Sequence, residues 1–351
     1  MPKVSVIIPV YNVEAFVGAS LDSLKRQTYG DFEAVCINDG STDGSLEVLE
    51  TYAATDSRIR IVSIPNGGLG HARNTGLDVA QGEIVCFLDS DDEFSDDALE
   101  KIVAGIELHD ADIVTFGGKT IPEDAITPWL SDVLSPRTCY YPEFSLDVLF
   151  KEKSRPLVRT ALTRSFVKEH NIRFVESLRI GEDQVFDFAI YPRANRIQFI
   201  ADKLYLYRIN RDASLMQATA KDPCLTLKRH CSVVKCVFDD WASLGILKSS
   251  SAVMLSWTVE FVLYDALRLA DDQCEEVFSM MREILLSYWT ADEIRATALS
   301  SAVAAIIRAC IKSQRFSRYS RLWLMSRYYL FRYGAKAMLV RIVRGGKEFG
   351  L

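Results

Sequence analysis

From Val4 to Leu88 the chain alternates short β-branched runs with segments whose apolar residues recur at helical spacing, and no other feature constrains the fold as strongly. Val4 to Pro9 reads as a strand closed by proline. Val13, Phe16, Val17, Leu21 and Leu24 then share one helix face, with Asn12 placed as its N-cap. Phe32 to Ile37 is a second strand, Ser41-Thr42-Asp43 begins a helix carrying Leu46, Leu49 and Ala53, and Arg58 to Ile64 is a third strand. The loop Asn66-Gly67-Gly68-Leu69-Gly70 opens a helix through Ala72 and Leu77, and Glu83 to Leu88 makes a fourth strand. This order predicts an α/β unit with a mostly parallel sheet covered on both faces. Ligands of such sheets bind beyond the carboxyl ends of the strands, where Asp39, the glycine loop and Asp89 all fall.

Asp112 to Phe116 reads as a fifth strand. The stretch after it, broken by Pro122, Pro128, Pro136 and Pro142, has no periodicity that assigns an element. From Pro223 to Tyr333 the pattern is helical, with almost no proline or glycine. At 351 residues the chain exceeds one core, and the expected division is an α/β unit over 1–216 followed by a helical region over 217–351.

Composition, 49% hydrophobic and 25% charged, excludes a disordered or collagenous chain. The eight cysteines form no C-x-x-C pair and none stands at zinc-ligand spacing from a histidine, so reduced, mostly buried thiols and no structural zinc are expected. No signal-peptide pattern precedes Val4. The apolar stretch Ser251 to Ala270 is interrupted by Glu260, Asp265 and Arg268, short of the roughly 20 uncharged residues of a membrane span. These readings place the chain in the cytoplasm. Charge is uneven: Lys312 to Glu348 holds ten basic residues and one acidic, leaving 31 basic and 46 acidic for the rest. Tail and body should therefore meet different partners.

Asp89-Ser90-Asp91-Asp92 follows the apolar run Ile84 to Leu88. Carboxylates at i and i+2 after a buried strand can bring two oxygen donors into one cleft, suited to Mg²⁺ or Mn²⁺ on a diphosphate. The same cluster can instead start the helix Ala98 to Ile106, with Asp92 or Ser95 as its cap. Asp39, in Asn38-Asp39-Gly40-Ser41-Thr42-Asp43, can accept hydrogen bonds from a base or ribose, or complete a turn, which is the better account of Asp43. Arg73-Asn74 can face phosphate behind the glycine loop, or lie on a solvated helix face. Glu182-Asp183, heading an apolar helix with Phe186 and Ile190, can supply a general base, or merely an acidic helix start favoured by the macrodipole.

Together, Val4-Ser5-Val6-Ile7-Ile8-Pro9-Val10-Tyr11-Asn12, Asn38 to Asp43, Asn66 to Asn74, Phe87 to Asp92, Gly181-Glu182-Asp183 and Tyr205-Leu206-Tyr207-Arg208 resemble the family-2 glycosyltransferases in order and spacing, over about residues 3–216. The resemblance implies a GT-A fold, with a Rossmann-like, mixed but mostly parallel nucleotide-sugar-binding sheet, and a single inverting displacement at the anomeric carbon. It implies that Pro9, Tyr11 and Asp39 line the nucleoside pocket, Arg73 lies near the donor, Asp89 meets the ribose and Asp91 holds a divalent metal, Mn²⁺ or Mg²⁺. Asp183 would be the base, with Glu182 second choice, and Arg208, Arg211 and Ser214 would belong to a segment closing over diphosphate or acceptor. No histidine after the base is placed to complete the metal shell, which leaves Asp91, phosphates and water.

The expected reaction moves a sugar from a nucleotide-sugar, UDP-linked by preference, to a glycan or polyprenyl-linked acceptor in surface polysaccharide synthesis. A nucleotidyltransferase would want a G-x-G-x-R loop where Pro9-Val10-Tyr11-Asn12 stands, and a catalytically silent nucleotide-sugar-binding scaffold would not need Asp91 and Asp183 intact. The tail, 312–348, sets Trp323, Leu324, Tyr328, Tyr329, Leu330, Phe331 and Tyr333 among Arg315, Arg318, Arg321, Arg327 and Arg332. Such a helix can lie on an anionic membrane surface or pack against the acidic body. No nucleic-acid recognition motif accompanies it.

Overall fold

The computed structural model describes residues 1–123, 126–152, 159–209, 222–312 and 317–343, with side chains to residue 338 in the last stretch. The chain divides into two compact units, Met1–Arg211 and Asp212–Leu351.

In the first unit, strands β1 (Val4–Val10), β2 (Phe32–Asp39), β3 (Ile59–Ile64) and β4 (Ile84–Phe87) alternate with helices α1 (Glu14–Lys25), α2 (Ser45–Ala53) and α3 (Leu69–Val79). There follow β5 (Glu93–Phe94), α4 (Ala98–His109), β6 (Ile113–Ile121), α5 (Pro128–Val133), β7 (Cys139–Tyr141), α6 (Leu146–Phe150), β8 (Thr160–Thr163), α7 (Arg164–Glu169), α8 (Glu182–Ile190) and β9 (Ile197–Arg208). The sheet order is β3-β2-β1-β4-β8-β6-β9-β5, with β7 on β9. The β1–β2, β1–β4, β2–β3 and β6–β9 pairs are parallel, and β5, β7 and β8 pair antiparallel. All seven residues of β1 are buried, as a central strand covered on both faces requires. Val4, Val6, Ile8 and Val10 join Val17, Leu21 and Leu24 of α1 in one core, each fully buried aliphatic contributing about 1.5–3 kcal/mol.

The stretch that sequence left unassigned holds α5, β7, α6 and the far half of β6. There β6 and β9 shift register around Gly117 and Gly118. A Cβ on Gly117 would stand 2.8 Å from the Asp202 carbonyl oxygen, and one on Gly118 2.8 Å from that of Tyr205. Only glycine allows that close passage.

Two local expectations are corrected and a third is extended. Asn12 does not cap α1; it sits at φ 51° and its side chain accepts from the Thr42 amide at 2.8 Å. Asp43 completes the expected turn, accepting from Ser45 N at 3.0 Å, and also accepts from Glu14 N of α1 at 3.1 Å. None of the acidic cluster caps α4, whose N-cap position is Asp97, with no side-chain capping bond.

The second unit is helical, as its periodicity predicted. Pro223–Ser243 packs on Asp271–Tyr288, which packs on Ser301–Ile311, and that helix meets the last one, Arg318–Val343. Trp241, Phe238, Leu255 and Met281 are buried in this unit. The last helix is interrupted at Gly334. It buries Leu324, Met325 and Tyr328 and pairs Arg321 with Asp271 and Arg332 with Glu260. Tyr319, Trp323, Leu330, Phe331 and Tyr333 remain exposed. The tail thus does pack on the body of its own unit, but with one face only. All eight cysteines are free thiols, six of them buried. Among the described residues no helix is long and apolar enough to cross a membrane.

Candidate active site

The site gathers at the carboxyl ends of β1, β2 and β4 and the head of α8. Three rings lock these elements from below. Phe174 stacks on Phe186 of α8 with centroids 4.0 Å apart, and Phe87 of β4 meets both edge-on at 5.3 and 5.7 Å. Asn74 of α3 clasps the same segment, donating to the Phe174 carbonyl and accepting from its amide at 3.0 and 2.9 Å.

Arg73 lies over the Phe174 ring, 5.1 Å from its centroid, and is 1% exposed. Its guanidinium forks: Nη2 donates to Asp89 Oδ1 at 2.7 Å and Nη1 to Glu182 Oε1 at 3.0 Å, while Nε has no partner among the described residues. Burial by itself would lower the Arg73 pKa, but Asp89 and Glu182 outweigh burial and raise it, so the group stays charged. A planar fork can join carboxylates carried on two different elements.

Asp183, beside Glu182, is partly exposed, and its Oδ1 accepts from the Gln184 amide at 2.7 Å. Burial first and Glu182 second push its carboxyl up to about 7, against the opposing charge of Arg73. A carboxyl poised near neutrality suits removal of a proton from a hydroxyl. One turn along α8, Asp187 is buried, and burial and Asp183 raise its carboxyl well above the usual range. Tyr207 of β9 feels the whole group: burial, then Asp92, Asp89, Asp91 and Asp183, push its phenol up to about 12. Carboxylates far apart in sequence therefore act on one place.

On the other flank, Asp39 is 3% exposed and holds the glycine loop. Its carboxylate accepts from Gly67 N at 2.7 Å, Gly68 N at 2.9 Å and Asn66 Nδ2 at 3.3 Å. Pro9 is buried in β1 opposite Ile37 of β2, and Tyr11 just beyond is 49% exposed.

Residues 5–162 match the sequence profile described as Glycosyl transferase family 2. The α/β unit belongs to that family. The uncharacterized glycosyltransferase EpsJ of Bacillus subtilis is 35% identical over 60% of this chain and 62% of its own length. TarS of Staphylococcus aureus, a poly(ribitol-phosphate) beta-N-acetylglucosaminyltransferase, is 31% identical over 64% of this chain and 38% of its own. The chain thus spans less than two thirds of these relatives. The crystal structure of S. aureus TarS 1-349 with UDP-GlcNAc matches with a TM-score of 0.73 at 21% identity, over 95% of this chain and 92% of that one. The fold is GT-A.

Within this family-2 unit the acidic loop is held from beneath by β9. Tyr205 Oη accepts from Asp89 N at 3.2 Å, and the buried Asp92 accepts from Arg208 N at 2.7 Å. Burial, then Asp91 and Asp89, raise the Asp92 carboxyl well above its ordinary value. Arg208 Nε donates to the Asp91 carbonyl at 2.9 Å and Nη2 to Glu93 at 2.7 Å. Arg208, expected in a closing segment, is thus a strap across the acidic loop. Arg211 and Ser214 lie outside the described residues. Sequence reasoning missed Tyr205 as a support and Asp187 as a buried acid; Asp187 stands one turn beyond Asp183, a spacing that could have drawn notice.

Among the described residues no three histidine, cysteine or acidic side chains group as a metal site. The partly exposed Asp91, with Asp89 beside it, offers hard oxygen donors. That set fits Mg²⁺ or Mn²⁺ with phosphate oxygens and water completing the shell.

Proposed function

We propose that the chain is an inverting glycosyltransferase that moves one sugar from a nucleotide-sugar, UDP-linked by preference, to a hydroxyl of a glycan or lipid-linked glycan in cell-surface polysaccharide synthesis. The observation that carries this reading is the Arg73 fork, which ties Asp89 at the end of β4 to the head of α8 and so brings the partly exposed Asp183 beside the acidic loop. The names of relatives support the class: TarS acts with N-acetylglucosamine on poly(ribitol-phosphate), and a Bacillus spizizenii relative is a poly(ribitol-phosphate) beta-glucosyltransferase.

In this reading the nucleoside lies over Pro9, Tyr11 and Asp39, and Asp89 faces the ribose. Asp91 would hold a divalent cation, which when bound would offset charge growing on the leaving diphosphate. Asp183 takes the proton of the acceptor hydroxyl as that oxygen bonds to the anomeric carbon. The bond from that carbon to the diphosphate breaks as the new one forms, and the nucleoside diphosphate leaves. Inversion follows from attack opposite the leaving group.

The exposed stripe of Tyr319, Trp323, Leu330 and Tyr333, with Arg327 5.0 Å over the Trp323 ring, supports a second element of the proposal. Aromatic rings beside cations suit the headgroup layer of an anionic membrane, where polyprenyl-linked acceptors reside, and make the protein peripheral on the cytoplasmic face.

The test is nucleoside diphosphate release from a panel of UDP-, GDP- and dTDP-sugars, with Mn²⁺, Mg²⁺ or chelator, for wild type, Asp183→Asn and Asp91→Ala. Wild-type release that needs metal and is lost in both variants is the expected result. Transfer by Asp183→Asn at the wild-type rate would remove the base assignment.

A further inference from the structure

Arg73 carries one positive charge among three carboxylates, and both of its terminal nitrogens are committed, to Asp89 at 2.7 Å and to Glu182 at 3.0 Å. Its side chain is 2% exposed and that of Glu182 9%, so neither is presented to a substrate. We infer that Arg73 and Glu182 are positioning residues: the fork fixes the donor-side carboxylate to the head of α8, and the charge pair sets how readily the neighbouring Asp183 carries its own charge. The inference rests on the reading of Asp183 as the base.

The electrostatics follow from the geometry. Asp183 is adjacent in the chain to Glu182, whose negative charge opposes ionisation of Asp183, while Arg73 on α3 favours it. Among the described residues, Asp89 from the loop after β4, Asp187 from the same helix and Tyr207 from β9 also act on or feel Asp183. Asp89 and Asp187 add negative charge; Arg159 acts on Asp187, and among the described residues Arg73 is the cation that acts on Asp183. Lysine cannot replace it, because a point charge cannot bridge two carboxylates with planar geometry. Removing Glu182's charge leaves the whole of Arg73 to Asp89 and Asp183. Removing Arg73 leaves three carboxylates to repel one another.

The two changes therefore move Asp183 in opposite directions, which loss of structure alone would not do. The experiment is a ¹³C titration of side-chain carboxyls in the full chain labelled at aspartate, the Asp183 signal being the one absent from Asp183→Asn. Glu182→Gln keeps the side chain's shape and is expected to lower the Asp183 midpoint by about one pH unit; Arg73→Gln is expected to raise it by a similar amount. If Arg73→Gln does not fold, Glu182→Gln carries the test alone. A midpoint in Glu182→Gln that stays at the wild-type position, or rises, overturns the inference. Failure of the base reading is seen separately, as an Asp183→Asn protein that still transfers sugar.

Discussion

At the scale of single residues, Asp183 joins a reactive position to an energetic penalty. Burial and Glu182 push its carboxyl up to about 7 in the folded chain, from about 4 when unfolded. A group whose folded value is raised binds its proton more tightly in the native state, so it opposes folding as pH rises through that window and has no effect below it. Asp183→Asn should therefore melt at a higher temperature than wild type at pH 8, with the difference closing toward pH 4. Calorimetry at the two pH values checks this, and a variant less stable at pH 8 contradicts it. The same substitution should lower transfer by about 10²-fold or more, the contribution of a positioned base. Asp39 makes a different prediction. Asp39→Ala leaves the amides of Gly67 and Gly68 without their acceptor, which should cost about 1–3 kcal/mol in urea unfolding and weaken UDP binding by calorimetry. Unchanged stability would mean that the glycine loop holds itself.

Elements show why some of the fold was readable and some was not. β1 to β4 and their helices were legible because the strands are short β-branched runs bounded by turn residues and the helices carry apolar residues at helical spacing. The β6–β9 crossing was not, because its register shift rests on Gly117 and Gly118 admitting a strand distant in sequence. Gly117→Ala should destabilise the chain by about 1–3 kcal/mol, and a denaturation midpoint equal to wild type would show that the strands can part freely. The last helix shows the same limit. Its composition announced an amphipathic element, while which of its rings face inward was decided by packing: Leu324, Met325 and Tyr328 are buried, and Trp323 and Phe331 are exposed. Trp323→Glu with Phe331→Glu, which leaves the buried face intact, should reduce sedimentation with anionic vesicles about tenfold or more. Undiminished sedimentation would place membrane contact elsewhere.

For the whole molecule, the uneven charge predicts how its two proposed interactions respond to salt. The tail's excess of cations should draw it to anionic lipid through a field screened within about 10 Å at 0.1 M salt. The Arg73 pairs, by contrast, are buried and shielded from ions. Vesicle binding should therefore fall steeply between about 0.05 and 0.5 M salt while the thermal stability of the chain changes little. Parallel loss of both would tie them to one unfolding event.

The sequence by itself determined the strand and helix alternation, the positions of Asp39, the glycine loop and Asp89 at strand ends, and the helical character of the second unit, because all of these follow from local period and turn chemistry. Tertiary structure decided which partners each charged side chain meets. Asp89 and Asp92 could equally have been caps, Arg73 a surface cation and Arg208 part of a lid. Only the fold sets Arg73 between Asp89 and Glu182, buries Asp92 beneath Arg208 and leaves Asp183 partly open, since charge partners contributed by α3, α8 and β9 meet through packing that no local pattern records.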